Sequence, residues 1–483
     1  MRTPEPPAVP GRPNIVRAIF EETAALGGKT ALVERDRTRT YGELAEGVAR
    51  LARELQARGV RPLDRVAFLC PDGIDYVLLS LAILSLDAAI VPIAPGLMSD
   101  ECATLIAHLD VRHFLADETC APDKTAGDPF RTADLARAFR WTTRVPARPD
   151  PAGYAEIRPA FIRFSSGTTG ASKGVVLSHE TILDRTDAAN AGLRITSADT
   201  VGWVLSMSFH FVVTILLFLR KGATIVLCGD PLPQALEEAL RAHRLTFLYA
   251  SPIHYRLLSE SAATVPEHFA AVRMAVSTAI QLPEAIARRF HERFGLRLTE
   301  AYGIIEVGLP FIHAPPTGGH DGSLGAPLPA YAVKLSETGE VLIRGKGMCD
   351  AYFSPWQPAH LGRPDGWFHT GDLGELRADG TLKLIGRCKA VINFSGMKVF
   401  PQEVEDVLNQ FPDVAESLVY GEPHPEFGQL PCAKLVLKEG AGALDERALR
   451  AFCRAHLAIH KIPKTFACVP ALPKTASGKL RRA

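Results

Sequence analysis

Ser165-Ser166-Gly167-Thr168-Thr169-Gly170-Ala171-Ser172-Lys173-Gly174 gathers hydroxyl side chains, glycines and one cation directly after the apolar run Phe161-Ile162-Arg163-Phe164. Glycines at 167, 170 and 174 let backbone N–H groups turn towards an anion with no Cβ in the way. The Ser and Thr hydroxyls add donors, and Lys173 adds a point charge suited to a phosphate. The chemistry is therefore phosphate binding, although the GxxxxGK[ST] spacing is absent. Gly170-Ala171-Ser172-Lys173-Gly174 also matches the GxSxG pattern of serine hydrolases. That pattern needs a strand running straight into the serine, and Ser172 instead follows Gly-Thr-Thr-Gly, which disfavours a hydrolase.

Two more segments carry reactive residue types. Tyr302-Gly303-Ile304-Ile305-Glu306 follows a helical pattern over Glu284–Phe294 and a strand. Gly366-Trp367-Phe368-His369-Thr370-Gly371-Asp372-Leu373-Gly374 reads as a turn-rich region holding one aspartate. Each is weak alone, because an aromatic beside a glycine is commonly packing and an aspartate in a turn commonly a cap. His210, in Ser208-Phe209-His210-Phe211, reads more often as a core histidine when taken by itself.

The elements that must position these residues are those of an α/β protein. Thr40-Tyr41-Gly42-Glu43 is a capping box, followed by Leu44, Val48, Leu51 and Leu55 at helical spacing and by Gly59 at the C-terminal cap. A strand Arg65–Leu69, a helix Tyr76–Leu86 and a strand Ala88–Pro92 make a βαβ unit, hence a parallel sheet. A second α/β stretch holds a strand Ala223–Leu227, a helix Pro233–His243 and a strand Thr246–Ala250. The Pro/Asp-rich stretch Val145–Pro151 reads as a linker between two subdomains. Past Gly386 the predicted elements are helices at Pro401–Asn409 and near Glu446–His456, with strands near Ser417–Tyr420 and Ala433–Leu437. This last stretch is long enough for a small separate domain, and it carries 14 basic against 10 acidic residues.

Composition sets the class. The chain has 483 residues, 47% hydrophobic and 22% charged, which excludes a disordered or fibrous protein. With 54 basic and 53 acidic residues the net charge is +1, so no electrostatic footprint for nucleic acid or an acidic membrane exists. Nine dispersed cysteines without a CxxC pair read as reduced thiols, not a disulfide frame or zinc site. The Pro-rich start lacks an apolar signal core. The greasiest run, Phe209–Leu219, is too short for a bilayer about 30 Å thick, so the expectation is a soluble, cytoplasmic protein.

Taken in order, the motifs resemble the adenylate-forming superfamily of acyl-CoA synthetases, nonribosomal-peptide adenylation domains and luciferases. The resemblance runs from Thr40-Tyr41-Gly42-Glu43-Leu44 and the Ser/Thr/Gly loop through Gly322-Ser323-Leu324-Gly325 to Thr370-Gly371-Asp372. It continues with Gly386-Arg387, Gly396, Pro401-Gln402-Glu403-Val404-Glu405 and Pro473-Lys474-Thr475-Ala476-Ser477-Gly478-Lys479. It implies an α/β fold: a large multi-lobed N-terminal domain, residues 1–387, then a small mobile α+β C-terminal domain, residues 388–483, hinged near Lys389. The N-terminal domain would include a barrel-like portion.

The resemblance also implies roles. Ser165, Ser166, Gly167, Thr168, Thr169, Gly170 and Lys173 would hold the ATP phosphates. Tyr302 and Gly303 would lie at the adenine, faced by Ser277, Thr278 and Ala279. Glu306 would be the Mg²⁺ ligand, and Asp372 would accept from the ribose hydroxyls with Arg387 beside it. Lys479 would be the mobile lysine of adenylation. Gly396 would line the CoA pantetheine tunnel. His210 would stand at the mouth of the acyl pocket, with Phe209, Phe211, Val212, Ser251, His254 and Gly303 as walls. The apolar majority of those walls favours a hydrophobic or aromatic acid.

Some positions depart from the family pattern. Ile305 stands where Thr is usual, Ser172 where Pro is common, Ala390 where Asp is common and Asn393 where several relatives have Lys. Losing the Thr hydroxyl predicts weakened ATP activation. The leading expectation is AMP-forming ligation of a small-molecule carboxylate to CoA. Its alternatives are a thioesterification-only enzyme fed an acyl-adenylate by a separate adenylating enzyme, an adenylation enzyme that loads a carrier protein, and a non-catalytic adenylate-binding protein.

Overall fold

The computed structural model describes residues 12–95, 99–121, 126–146, 148–165, 173–229, 231–313, 322–363, 365–394, 397–474 and 480. The chain divides into two compact units. The first comprises Met1–His320, Pro327–Ala332 and Arg344–Trp367; the second comprises Asp321–Ala326, Val333–Ile343 and Phe368–Ala483.

The first unit is built on two sheets, of nine and eight strands. In the nine-stranded sheet, Arg65–Leu69 runs parallel to both Ala89–Ile93 and His113–Asp117. All residues of the first two strands are buried, as expected for parallel strands covered on both faces. The intervening helix, Ile74–Ser85, is buried along its whole length, which explains its lack of a polar face. Pro159–Ser165 joins the same sheet beside Ala89–Ile93 and turns back antiparallel as Lys173–Ser178. Val145–Pro151 therefore connects two strands of one sheet, not two subdomains. Arg65, itself buried, anchors it through a 2.5 Å ion pair to Asp150.

The eight-stranded sheet has a parallel centre of Thr200–Trp203, Thr224–Leu227, Phe247–Ala250, Met274–Ser277 and Leu298–Ile304. Gly308–His313 closes one side antiparallel. The other side is the N-terminal hairpin Thr30–Glu34 and Arg37–Thr40, with Leu32 opposite Ile225. The following helix, Tyr41–Ala57, begins with the expected capping box: Thr40 Oγ1 accepts from the Glu43 N–H at 3.2 Å, and the Thr40 N–H donates to Glu43 Oε2 at 2.8 Å. One apolar core joins both sheets, with Phe68 and Phe161 from one and Ile225 and Phe247 from the other.

The second unit contains most of a four-stranded sheet of Tyr331–Leu335, Glu340–Gly345, Phe368–Leu376 and Leu382–Arg387. Among the described residues these strands form an open sheet. Phe368–Leu376 also corrects the turn-rich reading of residues 366–374. Its glycines serve a strand, where a Cβ on Gly374 would come within 2.7 Å of Val341. Beyond it, the long hairpin Val414–His424 and Gly428–Leu437 packs under the helices Pro401–Leu408 and Glu446–His456. Glu405, buried in the first helix, accepts from the Val419 N–H at 2.7 Å, so it secures the domain core. None of the nine cysteines is in a disulfide. Among the described residues no helix is long and apolar enough to cross a membrane.

Candidate active site

Ser165 and Lys173, which flank the phosphate-loop candidate in the first unit, lie opposite each other on antiparallel strands. Ser166, Gly167, Thr168, Thr169 and Gly170 lie outside the described residues. Lys173 places its ammonium 5.3 Å from the centre of the Tyr352 ring, a cation–π contact that holds the lysine at the hairpin base. Burial, with the Glu306 carboxylate adding negative charge nearby, pushes the Tyr352 hydroxyl far up, so this ring stays neutral.

Glu306 sits in the turn between Leu298–Ile304 and Gly308–His313. The Val307 N–H donates to the Ile304 carbonyl at 2.9 Å, and the Cys349 N–H donates to the Glu306 carbonyl at 2.7 Å. Ile305 turns its side chain onto the main apolar core. Arg185, fully buried on the helix His179–Leu193, donates from Nε to the Gly347 carbonyl at 2.7 Å and from Nη1 to the Ile305 carbonyl at 2.8 Å. Burial pushes its guanidinium pKa down, and Glu306 is among the groups that offset this.

Tyr302 lies at the end of its strand, edge-on to Phe311 with ring centres 6.0 Å apart. Gly303 is a close-approach position: a Cβ there would come within 2.5 Å of Leu309 and 2.9 Å of the Gly308 carbonyl oxygen. Ser277 and Thr278 are buried on the neighbouring strand end, and Thr278 Oγ1 donates to the Ala301 carbonyl at 3.0 Å. Ala279 has φ +75°, a left-handed conformation that an alanine adopts at a cost of order 1–2 kcal/mol.

The expected acyl-pocket residues separate into two groups. Phe209 and His210 are half-buried at the end of the short helix Met207–His210, before a π-helical turn, Phe211–Ile215, of a kind often found at functional sites. Phe211 is completely buried against Tyr76, with ring centres 5.4 Å apart, so it backs a wall without facing a ligand. Val212 is also buried. Ser251 and His254 cap the helix Pro252–Glu260: His254 Nδ1 accepts from the Ser251 N–H at 3.2 Å and lies 2.8 Å from Ser251 Oγ.

In the second unit Asp372 is buried and pairs with Arg387, its neighbour across the strands, at 2.7 Å. The Asp372 N–H donates to Thr370 Oγ1 at 3.0 Å, and Arg387 Nη1 donates to the Thr370 carbonyl at 3.2 Å. A buried carboxylate fixed this way presents a rigid acceptor. Lys389 lies in the short turn Cys388–Ala390, its side chain outside the described set, as are Gly396 and Lys479.

Three residues here escaped the sequence reading. Tyr352 and Arg185 carry no local signal, because an aromatic in a strand and an arginine on a helix are ordinary. Arg163 did carry one, a cation inside the apolar run Phe161–Phe164. It stacks on the Phe209 ring at 4.6 Å and donates from Nη1 to the Phe209 carbonyl at 3.0 Å. Burial pushes its pKa down to about 10, with Glu306 the main opposing influence. Arg163 and Arg185 thus both lie within electrostatic reach of the Glu306 carboxylate.

Comparison with known proteins places this geometry in context. The chain is 31% identical to 3-[(3aS,4S,7aS)-7a-methyl-1,5-dioxo-octahydro-1H-inden-4-yl]propanoyl:CoA ligase of Mycobacterium tuberculosis, over 94% of each chain. It is 30% identical to feruloyl-CoA synthase of an Amycolatopsis species, over 95% of this chain and 94% of the other. ATP-bound MatB from Rhodopseudomonas palustris has the same fold, with a TM-score of 0.82 over 97% of each chain at 23% identity. The architecture is thus the mixed α/β fold of adenylate-forming enzymes, with a large N-terminal and a small C-terminal domain. The AMP-binding enzyme family matches residues 20–353 and its C-terminal domain matches residues 403–479, so the chain belongs to the AMP-binding enzyme family.

Proposed function

We propose that this protein is an AMP-forming acyl-CoA ligase acting on a carboxylic acid with a largely hydrophobic or aromatic body. The observation that carries the reading is the grouping of Lys173, Tyr352 and Glu306 at the base of the Ser165–Lys173 hairpin. Relatives named as CoA ligases along nearly the whole chain support the same chemistry.

In the first half-reaction the substrate carboxylate attacks the α-phosphorus of ATP, the bond to the β-phosphate oxygen breaks and pyrophosphate leaves. Lys173 and the hairpin tip hold the β- and γ-phosphates, Tyr302 packs against the adenine, and Asp372 accepts from the ribose. Lys479 neutralises charge between carboxylate and α-phosphate, where a positioned cation acts most strongly. In the second half-reaction the CoA thiolate attacks the acyl carbonyl carbon and AMP departs. Among the described residues no three His, Cys, Asp or Glu side chains converge as a metal cage. That donor set fits Mg²⁺ held by one carboxylate and by substrate phosphates, with Glu306 as the protein ligand. Bound there, the ion would supply charge neutralisation.

A second reading is favoured by one observation, the apolar packing of Ile305 beside Glu306. It has adenylation weakened and thioester formation from a supplied acyl-adenylate retained. One mass-spectrometric assay separates the two. Free acids with Mg²⁺-ATP and CoA form one arm, and the matching acyl-adenylates with CoA form the other. Acyl-CoA in both arms supports the ligase, product from the adenylate arm alone supports the second reading, and product in neither overturns both.

A further inference from the structure

Arg163 is an unusual occupant of its strand. It interrupts the run Phe161-Ile162-Arg163-Phe164 in the nine-stranded sheet, where its two predecessors are buried. Its side chain lies against Phe209 on the edge of the two-sheet core, and its Nη1 is committed to the Phe209 carbonyl. Nε is sealed from solvent and has no hydrogen-bond partner among the described residues. Two further buried polar atoms lie close by, Tyr76 Oη and Ser208 Oγ, which interact with each other and bond to no other described residue. Tyr76 is completely buried, lies within electrostatic reach of Arg163 and Asp72, and pairs with the Ser208 hydroxyl. Ser208 immediately precedes Phe209, so this short stretch meets Tyr76 through Ser208 and Arg163 through Phe209.

Buried polar groups without partners are costly, and a guanidinium has five N–H donors to satisfy. Donors left open inside a protein need a partner, and a bound ligand is one that can supply it. Among the described residues, Glu306 is the acidic group within electrostatic reach of Arg163, and Asp72, which accepts from the Met207 N–H at 2.9 Å, is the one within reach of Tyr76. Neither closes a hydrogen bond to the open Nε. Phe209 and His210, which follow Ser208 in the chain, are half-buried, so the more exposed part of this stretch is the segment expected at the mouth of the acyl pocket.

We infer that Arg163, with the Ser208 and Tyr76 hydroxyls, forms a polar subsite that reads a second oxygen acceptor on the acid, one distinct from the carboxylate being activated. The inference rests on the ligase reading and narrows it: the preferred acid has an apolar body that carries an oxo or carboxylate oxygen remote from its reacting end. Phe209 packs the apolar body, while Arg163 supplies the fixed fork for the acceptor. A site built to hydrogen-bond a group rejects an analogue lacking it far more strongly than an apolar wall rejects a missing methylene.

The test compares phenylbutanoate, its oxo derivative and its ring-carboxylated derivative on the full-length enzyme. Acid binding is read by calorimetry, and CoA thioester formation by mass spectrometry. The wild type should favour an acceptor-bearing acid over phenylbutanoate by roughly tenfold to a hundredfold in kcat/KM and in binding. Preference for the oxo acid identifies a carbonyl as the acceptor, and preference for the diacid identifies a carboxylate. In Arg163→Met the selectivity ratio should collapse at least tenfold. Arg163→Lys should restore part of it, because it keeps the charge without the fork. Ser208→Ala should lower it several-fold. If Arg163→Met does not fold, the ratios in Arg163→Lys and Ser208→Ala decide.

Loss of both acid types in step overturns the proposal, because Arg163 would then serve the common carboxylate or the fold. Equal use of all three acids by the wild type overturns it as well. Selective binding without any thioester would leave the subsite standing and remove the ligase reading. Thioester formation without selectivity does the reverse.

Discussion

Arg185 Nη1 donates to the carbonyl oxygen of Ile305 at 2.8 Å, so a buried cation on one helix grips the residue next to the candidate metal ligand Glu306. The surrounding chain makes room for that grip. A Cβ on Gly308, at φ +110°, would lie 2.8 Å from the Tyr331 hydroxyl and 3.1 Å from Arg185 Cγ. One on Gly347, at φ +75°, would lie 2.9 Å from Arg185 Cα. The turn carrying Glu306 is thus folded over Arg185.

Replacing Arg185 should therefore affect both stability and one half-reaction. Arg185→Met leaves two buried carbonyls without their donor, a loss of roughly 2–5 kcal/mol. Denaturant unfolding should show it as a lower midpoint. Arg185→Lys cannot reach both carbonyls with a fork, so it should slow pyrophosphate release more than thioester formation from supplied acyl-adenylate. Equal slowing of the two would reduce Arg185 to a purely structural role.

Ile305→Thr tests the departure from the family pattern. Removing apolar atoms that pack on the core should lower stability by about 1 kcal/mol. Restoring a hydroxyl beside Glu306 should raise pyrophosphate release by roughly tenfold to a hundredfold, the scale of one hydrogen bond to a charged group. Unchanged release, measured with a thermal melt on the same sample, would show that Ile305 does not limit the first half-reaction.

Local patterns carried much of this architecture. The Thr40–Glu43 capping box, the helix Glu284–Phe294 and the parallel pair around Ile74–Ser85 depend on residues near one another in the chain, and the structure has each of them. Long-range pairing was not legible. Nothing in Thr30–Glu34 announces that Leu32 will sit beside Ile225 in a different sheet from Arg65–Leu69. The Pro/Asp-rich Val145–Pro151 misled for a related reason: composition reports a loop but not which strands it joins. At the site, ordered motifs pointed to Lys173, Glu306 and Asp372. The gripping contacts of Arg185 and the open donor of Arg163 arise only when distant segments meet.

Asp72 gives a pH-dependent prediction. Part of its surface is open to water, yet protein surrounds it on most sides, and burial pushes its carboxyl from the ordinary 3.8 to about 6. With the folded pKa above the unfolded one, its stabilising contribution is complete below about pH 4 and gone above about pH 6. Asp72→Asn keeps an acceptor for the Met207 N–H and removes the charge. The variant should melt higher than wild type at pH 7.5, with the gap narrowing towards pH 5. A gap that stays constant across that range would show that Asp72 titrates normally.

His179 should act in the opposite sense. It is buried, its Nδ1 accepts from the Ile15 N–H at 3.3 Å, and Nε2 lies 3.6 Å from Asp87 Oδ1. The accepted bond at Nδ1 puts the neutral ring's proton on Nε2. Burial lowers the pKa from 6.5 to about 4, with Arg158 and Arg17 adding to the effect and Asp87 opposing it. Because the unfolded chain binds the proton more readily, this group's contribution is full above about pH 6.5 and is lost as pH falls towards 4. His179→Asn offers an oxygen to the Ile15 N–H but does not titrate. The variant should be less stable at pH 7.5, because the smaller side chain leaves a void. Between pH 7.5 and 5 it should lose less of its melting temperature than wild type does. Parallel decline of the two proteins over that interval would mean that His179 is not among the groups whose protonation weakens the fold.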